Sequence, residues 1–150
     1  MSDLADLYQE VIIDHSRRPR NFGELEGATR TVEAFNPLCG DQLTLYVKLA
    51  DGRIADIAFQ GTGCAISQAS ASLMTTALKG KSQDEALALF GRVRAMLTEG
   101  PNGKAHLEEV GKLAVLSGVS EFPTRVKCAV LAWQALRSAL EADDARISTE

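Results

Sequence analysis

An α+β fold is the class this chain predicts, on three observations. A helix-period stripe opens the sequence, strand-period runs follow between residues 31 and 60, and helical patterns then continue to about residue 140. Strands and helices are segregated along the chain, where an α/β fold would alternate them. The expected architecture is a small three-stranded antiparallel sheet with an N-terminal helix and several C-terminal helices packed around it.

The first stripe is Leu4, Leu7, Tyr8, Val11 and Ile12, at i, i+3, i+4, i+7 and i+8. Asp3 and Asp6 suit the positive end of that helix, while His15, Arg17 and Arg18 suit its negative end. Pro19 stops it. Thr31 to Phe35 is a short β-prone run that ends at Asn36-Pro37. Leu43, Leu45, Val47 and Leu49 alternate with polar residues, as in a strand buried on one face. Asp51-Gly52 is a hairpin signal, and the return strand from Arg53 to Gln60 places Ala55, Ile57 and Phe59 on one face.

Gly61 and Gly63 break the third strand, and Cys64 stands at the junction with a helix from Ala65 to Lys79. Gly80 closes that helix as its C′ residue, and its many small side chains predict close packing. Ser82 and Glu85 form a capping box for a third helix carrying Ala86, Leu87, Leu89, Phe90, Val93, Met96 and Leu97. Gly100 to Gly103 is a loop, followed by a shorter helix with Leu107, Val110, Leu113 and Ala114 that ends near Gly118. Pro123 precedes the last helix, with the stripe Val126, Ala129, Val130, Trp133, Leu136 and Leu140. From Asp143 the chain turns polar, so residues 143–150 are expected to be a frayed tail.

Residues 1–150 are read as one domain, long enough to bury a substantial core. Hydrophobic content of 45% and charged content of 24% are ordinary for a globular protein, and the net charge of −4 argues against nucleic-acid or anionic-membrane partners. No apolar run approaches the roughly 18 residues of a membrane span. The acidic start lacks a secretory segment, so a cytoplasmic location is expected, where thiols stay reduced. An odd count of three cysteines fits that reading.

Those cysteines are the chemical focus. Cys39, Cys64 and Cys128 are separated by 25 and 64 residues, which matches no zinc-finger pattern, and buried cysteine is common in ordinary cores. Their settings are less ordinary. Cys39 and Asp41 flank Gly40 and, in extended chain, project to the same side, where both can meet one ion; the alternative is that Asp41 caps a turn amide. Cys64 follows Gly-x-Gly at a helix start, where unpaired amides favour thiolate. Cys128 lies near another helix start with Arg125 and Lys127 close by. Arg125 could offset negative charge at a site or be a solvated surface residue. Three sulfurs and one carboxylate oxygen suit tetrahedral zinc, and would also accept iron or a cluster. His15 is read as complementing its own helix end, and His106 as a surface residue.

Four segments then resemble the IscU/NifU-like iron–sulfur assembly family, in that family's order and over nearly the whole chain. They are Tyr8-x-x-Val11-Ile12-x-Asp14-His15-x-x-x-Pro19-Arg20-Asn21-x-Gly23, Asn36-Pro37-x-Cys39-Gly40-Asp41, Gly61-x-Gly63-Cys64-Ala65-Ile66-Ser67-x-Ala69-Ser70-Ala71-Ser72 and Arg125-x-Lys127-Cys128-Ala129-x-Leu131-x-Trp133. The resemblance implies that Cys39, Asp41, Cys64 and Cys128 ring one exposed metal site. It also implies a pyridoxal-phosphate cysteine desulfurase (SufS-like) as partner. Members of the IscU type place His before the third cysteine and build a [2Fe–2S] cluster for apo-proteins. Lys127 stands there instead, and the long gap leaves room for an insertion near Gly91 to Gly111, as in the SufU type. The closer resemblance therefore implies a zinc-dependent sulfurtransferase, with Cys39 as the persulfide acceptor, Arg125 in docking, and a downstream iron–sulfur scaffold or apo-protein as recipient. Cys39 suits that role because it lies on an expected loop between Pro37 and Gly40, whereas Cys64 and Cys128 are tied to helices.

Overall fold

The first helix and the turn after it form a latch. A computed structural model describes residues 3–37, 40–98, 110–141 and 146–148. Helix α1 spans Asp3–Arg17 and packs Tyr8, Val11 and Ile12 against the core. Leu7, expected in the same stripe, is 53% exposed instead. It sits on the lip of a cleft of about 660 Å³ between α1 and the segment around Gly111 to Val115, so the packed stripe is narrower than the sequence pattern. His15 does lie in the last turn, but its ring also reaches across: Nδ1 is 2.7 Å from Ser72 Oγ. The same hydroxyl accepts the Arg20 N–H at 2.8 Å. Asn21, at φ +58°, donates from Nδ2 to Thr75 Oγ1 and accepts from Lys79 Nζ.

Three antiparallel strands follow: β1 (Arg30–Asn36), β2 (Asp41–Ala50) and β3 (Arg53–Thr62). Asp51 and Gly52 both take positive φ (+55° and +75°), the geometry of the tight hairpin the Asp-Gly pair predicts. On β2 the buried residues Leu43, Leu45 and Val47 alternate as expected. On β3 the expectation for Ala55 fails: Ile57 and Phe59 are buried, but Ile54 joins them and Ala55 is exposed. The cause is a bulge. Lys48 pairs with Asp56 and Leu49 with Ile54, so Ala55 is an extra residue that shifts the alternation by one.

The expected frayed tail is also corrected in part. Arg146–Ser148 forms a short strand β4, parallel to β1, giving the order β3-β2-β1-β4. The exposed main-chain edge of β1 supplies the hydrogen-bonding partners that composition alone did not reveal.

Helix α2 (Ala65–Leu78) lies between α1 and the last helix, and Ala69, Ser70, Ala71 and Ser72 are all buried in it. Small side chains permit that close approach on two sides. Gly80, at φ +89°, follows its end as expected. Helix α3 (Gln83–Thr98) starts on the predicted capping box, with Ser82 N–H on Glu85 Oε1 at 3.0 Å and Glu85 N–H on Ser82 Oγ at 3.1 Å. Hydrogen bonds from the Ser82 main-chain N–H and the Ser82 hydroxyl hold the Glu85 carboxyl below its usual range. The loop from Gly100 to Gly103, His106, Leu107 and much of the expected insertion lie outside the described residues. The shorter helix appears as a 3₁₀ helix, Gly111–Glu121, which runs three residues past Gly118.

Helix α4 (Pro123–Glu141) buries Ala129, Val130, Trp133 and Leu136. Trp133 stacks near Phe90, with ring centroids 6.2 Å apart, and donates from Nε1 to Ser70 Oγ at 3.2 Å. Ser70 in turn donates to the Ala129 carbonyl at 2.5 Å. A buried chain of hydrogen bonds thereby fixes α4 against α2. Among the described residues no helix is long and apolar enough to cross a membrane.

The latch carries a pH dependence. Partial burial, with Arg20 and Lys112 nearby, holds the His15 imidazole below its ordinary value of 6.5, against the opposing pull of Asp14. The unfolded chain therefore binds more protons near that value, and stability rises with pH. The contribution is present above 6.5 and is lost as pH falls through the lowered folded value. Urea midpoints taken between about pH 7 and about pH 5 should decline toward acid, and less steeply in His15→Asn; equal slopes would refute the assignment.

Candidate metal centre

The tip of the β1–β2 hairpin places two polar side chains in the interior. Asn36, the last residue of β1, pairs with Asp41, the first of β2, and both are fully buried. A carboxylate removed from water needs charge-assisted partners. Asp41 finds one at the start of α2, where its Oδ1 accepts the Cys64 N–H at 2.8 Å. Cys64 is the N-cap of that helix, with extended backbone (φ −72°, ψ 167°), and its sulfur accepts the Ser67 N–H at 3.4 Å. The positive helix end therefore faces both a carboxylate and a sulfur.

The two glycines before Cys64 have separate reasons to be there. Gly61 has φ +151°, and a Cβ on it would lie 2.1 Å from the main-chain oxygen of Gln42, its neighbour on β2. Gly63 has an ordinary φ, but a Cβ there would meet Asp41 Oδ1 at 2.6 Å. The first glycine lets β3 stay paired to its end. The second keeps open the space that the carboxylate fills.

Cys128 reaches the same place from the second turn of α4. It is fully buried, with its Sγ 3.7 Å from Asn36 Nδ2 and 3.7 Å from the Thr124 carbonyl oxygen. Cys64 Sγ lies 3.9 Å from Asp41 Oδ2. One ligand atom each from Asp41, Cys64 and Cys128 fall within 4.8 Å of one another. Ligands at tetrahedral zinc sit about 3.5 to 3.8 Å apart, given bonds of about 2.3 Å to sulfur and 2.0 Å to oxygen. The three donors therefore need only a small contraction to share one ion. Two soft sulfurs and one carboxylate are a donor set that zinc or iron accepts. Asp41 is also oriented for it: Oδ1 accepts the Cys64 amide N–H, and Oδ2 lies 3.9 Å from the Cys64 sulfur.

Sequence reasoning thus named three residues that the fold brings together across chain separations of 23 and 64 positions. Cys39 lies outside the described residues, two positions before Asp41 in the chain. Arg125 is exposed in the first turn of α4, with its N–H on the Phe122 carbonyl, and Lys127 is half-buried beside Cys128. Asn36 is the site residue that sequence reasoning missed. An asparagine before proline reads as the end of a strand, and only its pairing with Asp41, five positions on, shows more.

Comparison with known proteins gives the family. Residues 7–129 match the family described as NifU-like N terminal domain. The chain is 45% identical over 141 residues to the iron-sulfur cluster assembly scaffold protein IscU of Streptococcus pyogenes serotype M1, covering 94% of this chain and 87% of that protein. It is 40% identical over 145 residues to the zinc-dependent sulfurtransferase SufU of Bacillus subtilis, covering 95% of each. A crystal structure of a putative iron-sulfur cluster assembly scaffold protein for the SUF system, from Fervidobacterium islandicum AW-1, superposes with a TM-score of 0.80 at 34% identity, over 94% of this chain and 100% of that one.

The contrast between the glycines is testable. Gly63→Ala meets a side chain that can move, so the fold should survive while the Asp41 carboxylate is displaced. Zinc affinity by chelator competition is expected to drop about 10- to 100-fold, the usual range for losing a group that orients a ligand. Gly61→Ala meets main chain and should lower the urea midpoint instead. A Gly63→Ala protein with unaltered zinc affinity would sink this account.

Proposed function

The chain belongs to the NifU-like N-terminal domain family, which takes in the IscU and SufU proteins of iron–sulfur cluster assembly, and on that premise we propose that it relays sulfur from a zinc site. In this reading it accepts persulfide sulfur from a cysteine desulfurase and passes it to a downstream scaffold or apo-protein. The observation that carries the reading is the convergence of Asp41, Cys64 and Cys128, with Gly63 leaving room for the carboxylate. Cys39 would complete the ligand set. A bound zinc ion would keep the thiolates deprotonated and guarded from oxidation.

The acceptor must release its hold on the metal and meet an external sulfur. Cys128 is fully buried, and the Cys64 sulfur caps α2, so neither suits that task. Cys39, between Pro37 and a Gly40 at φ +71°, is assigned as the acceptor. Its thiolate electron pair attacks the outer sulfur of the desulfurase persulfide. A new S–S bond forms, the donor S–S bond breaks, and the donor cysteine leaves as thiolate, so no external oxidant or reductant is consumed. Asp41 holds its place through the Cys64 amide during that exchange. Arg125, exposed at the start of α4, is assigned to docking the desulfurase or offsetting the site's negative charge.

A second reading, a scaffold that assembles a [2Fe–2S] cluster on the same ligands, has the scaffold name of the Streptococcus relative in its favour. Lys127, where the IscU type carries histidine, favours the relay.

One experiment separates the two. Protein purified in air should hold zinc with little iron or sulfide, and should take up labelled sulfur from a cysteine desulfurase and free cysteine. Cys39→Ala should abolish that uptake. Full uptake by Cys39→Ala would refute the assignment, and a coloured species able to load an apo-ferredoxin would put the scaffold first.

A further inference from the structure

Asn36 is a fully buried amide to which the sulfur relay gives no role. Strand pairing sets it directly across from Asp41, and the two side chains then divide the site between them. Asp41 engages Cys64 through its amide N–H, while Asn36 reaches Cys128 with Nδ2 at 3.7 Å from the sulfur. A metal-bound thiolate is an acceptor only, so the amide must present its N–H, because its carbonyl oxygen would be repelled. The Thr124 carbonyl, also 3.7 Å from that sulfur, can accept from a thiol but offers nothing to a thiolate. Of these two contacts, Asn36 alone favours the metal-bound form. Cys64 differs, since its sulfur takes a main-chain N–H that no substitution of a side chain removes.

We infer that Asn36 is a positioning residue for the metal centre, whose side-chain N–H donates to the Cys128 sulfur and makes that cysteine the anchoring ligand. The inference rests on the metal reading of the cluster and is independent of sulfur relay. An N–H···S bond withdraws electron density from the thiolate and lowers its nucleophilicity. In a buried setting that bond is electrostatically stronger than in water. Cys128 then stays on the metal, and ligand exchange is confined to the other positions. The geometry also gives the hairpin tip a single task at both ends: Asp41 and Asn36 each orient one cysteine from a different helix.

Cobalt(II) is the probe, because its thiolate charge-transfer absorption reads the electron energy of the bound sulfurs. Asn36→Leu is close in size and removes the donor. Its cobalt charge-transfer bands should move to longer wavelength, and its cobalt affinity should fall about 10- to 100-fold. Asn36→Asp, which turns an acceptor toward the sulfur, should lose more. A folded Asn36→Leu protein with unchanged bands and affinity overturns the inference. Wild-type protein loaded with NMR-active cadmium provides a measurement that needs no variant. An Asn36 side-chain amide proton should show scalar coupling to the metal across the Cys128 sulfur, and absence of that coupling also overturns it. A wild type that binds neither metal overturns this inference together with the metal centre. Failed sulfur uptake with both readouts intact supports it and removes only the relay.

Discussion

The hydrogen bond from the Cys64 amide to the Asp41 carboxylate is the constraint on which the rest of the centre depends. It satisfies a fully buried carboxylate, it meets the positive end of α2, and it joins the sheet to the helix that Cys64 caps. Every local peculiarity nearby serves it. Gly63 has no side chain because the carboxylate occupies that volume. Gly61 carries the chain around the main chain of β2 without lifting β3 off the sheet. Cys64 stands in the N-cap position, where serine or aspartate is usual, so that one side chain both caps the helix and brings a sulfur to the candidate metal centre.

Helix α2 transmits this arrangement to the rest of the protein. Two of its buried hydroxyls are taken up by different neighbours: Ser70 by the Ala129 carbonyl and Trp133 of α4, and Ser72 by His15 and the Arg20 amide after α1. Hydroxyl bonds are directional, whereas the surrounding Ala, Leu and Met contacts are not. The apolar core supplies most of the cohesion, and the hydroxyls select one register for α4 against α2. Cys128 immediately precedes Ala129, so that register sets how far its sulfur stands from Cys64.

What the sequence made legible follows from the range over which each signal acts. The Ser82–Glu85 capping box, the Asp51–Gly52 turn and the burial alternation on β2 are local, and they hold in the structure. Ala55 was misread because a bulge is a two-strand event: one strand's pattern carries no sign that its partner has skipped a residue. β4 was missed for the same reason, since its pairing comes from the open edge of β1 and not from its own composition. At the site, the unusual contexts of Asp41, Cys64 and Cys128 singled out three residues that the fold brings together. The bonds that orient them were not readable. Asn36 and Ser70 are ordinary polar residues in the chain and become informative only when burial shows what they face. His15 is intermediate: its position at a helix end was legible, but Ser72 lies 57 residues away.

The sheet and α2 carry Asn36, Asp41 and Cys64, while Cys128 arrives only with α4, 64 positions after Cys64. A ribosome therefore exposes the carboxylate and one helix-capping cysteine well before the sulfur that closes the cage. On the proposed metal reading, a growing chain would hold an ion only loosely until α4 has docked on α2. On the metal reading proposed above, ion retention would therefore report that α4 has docked on α2.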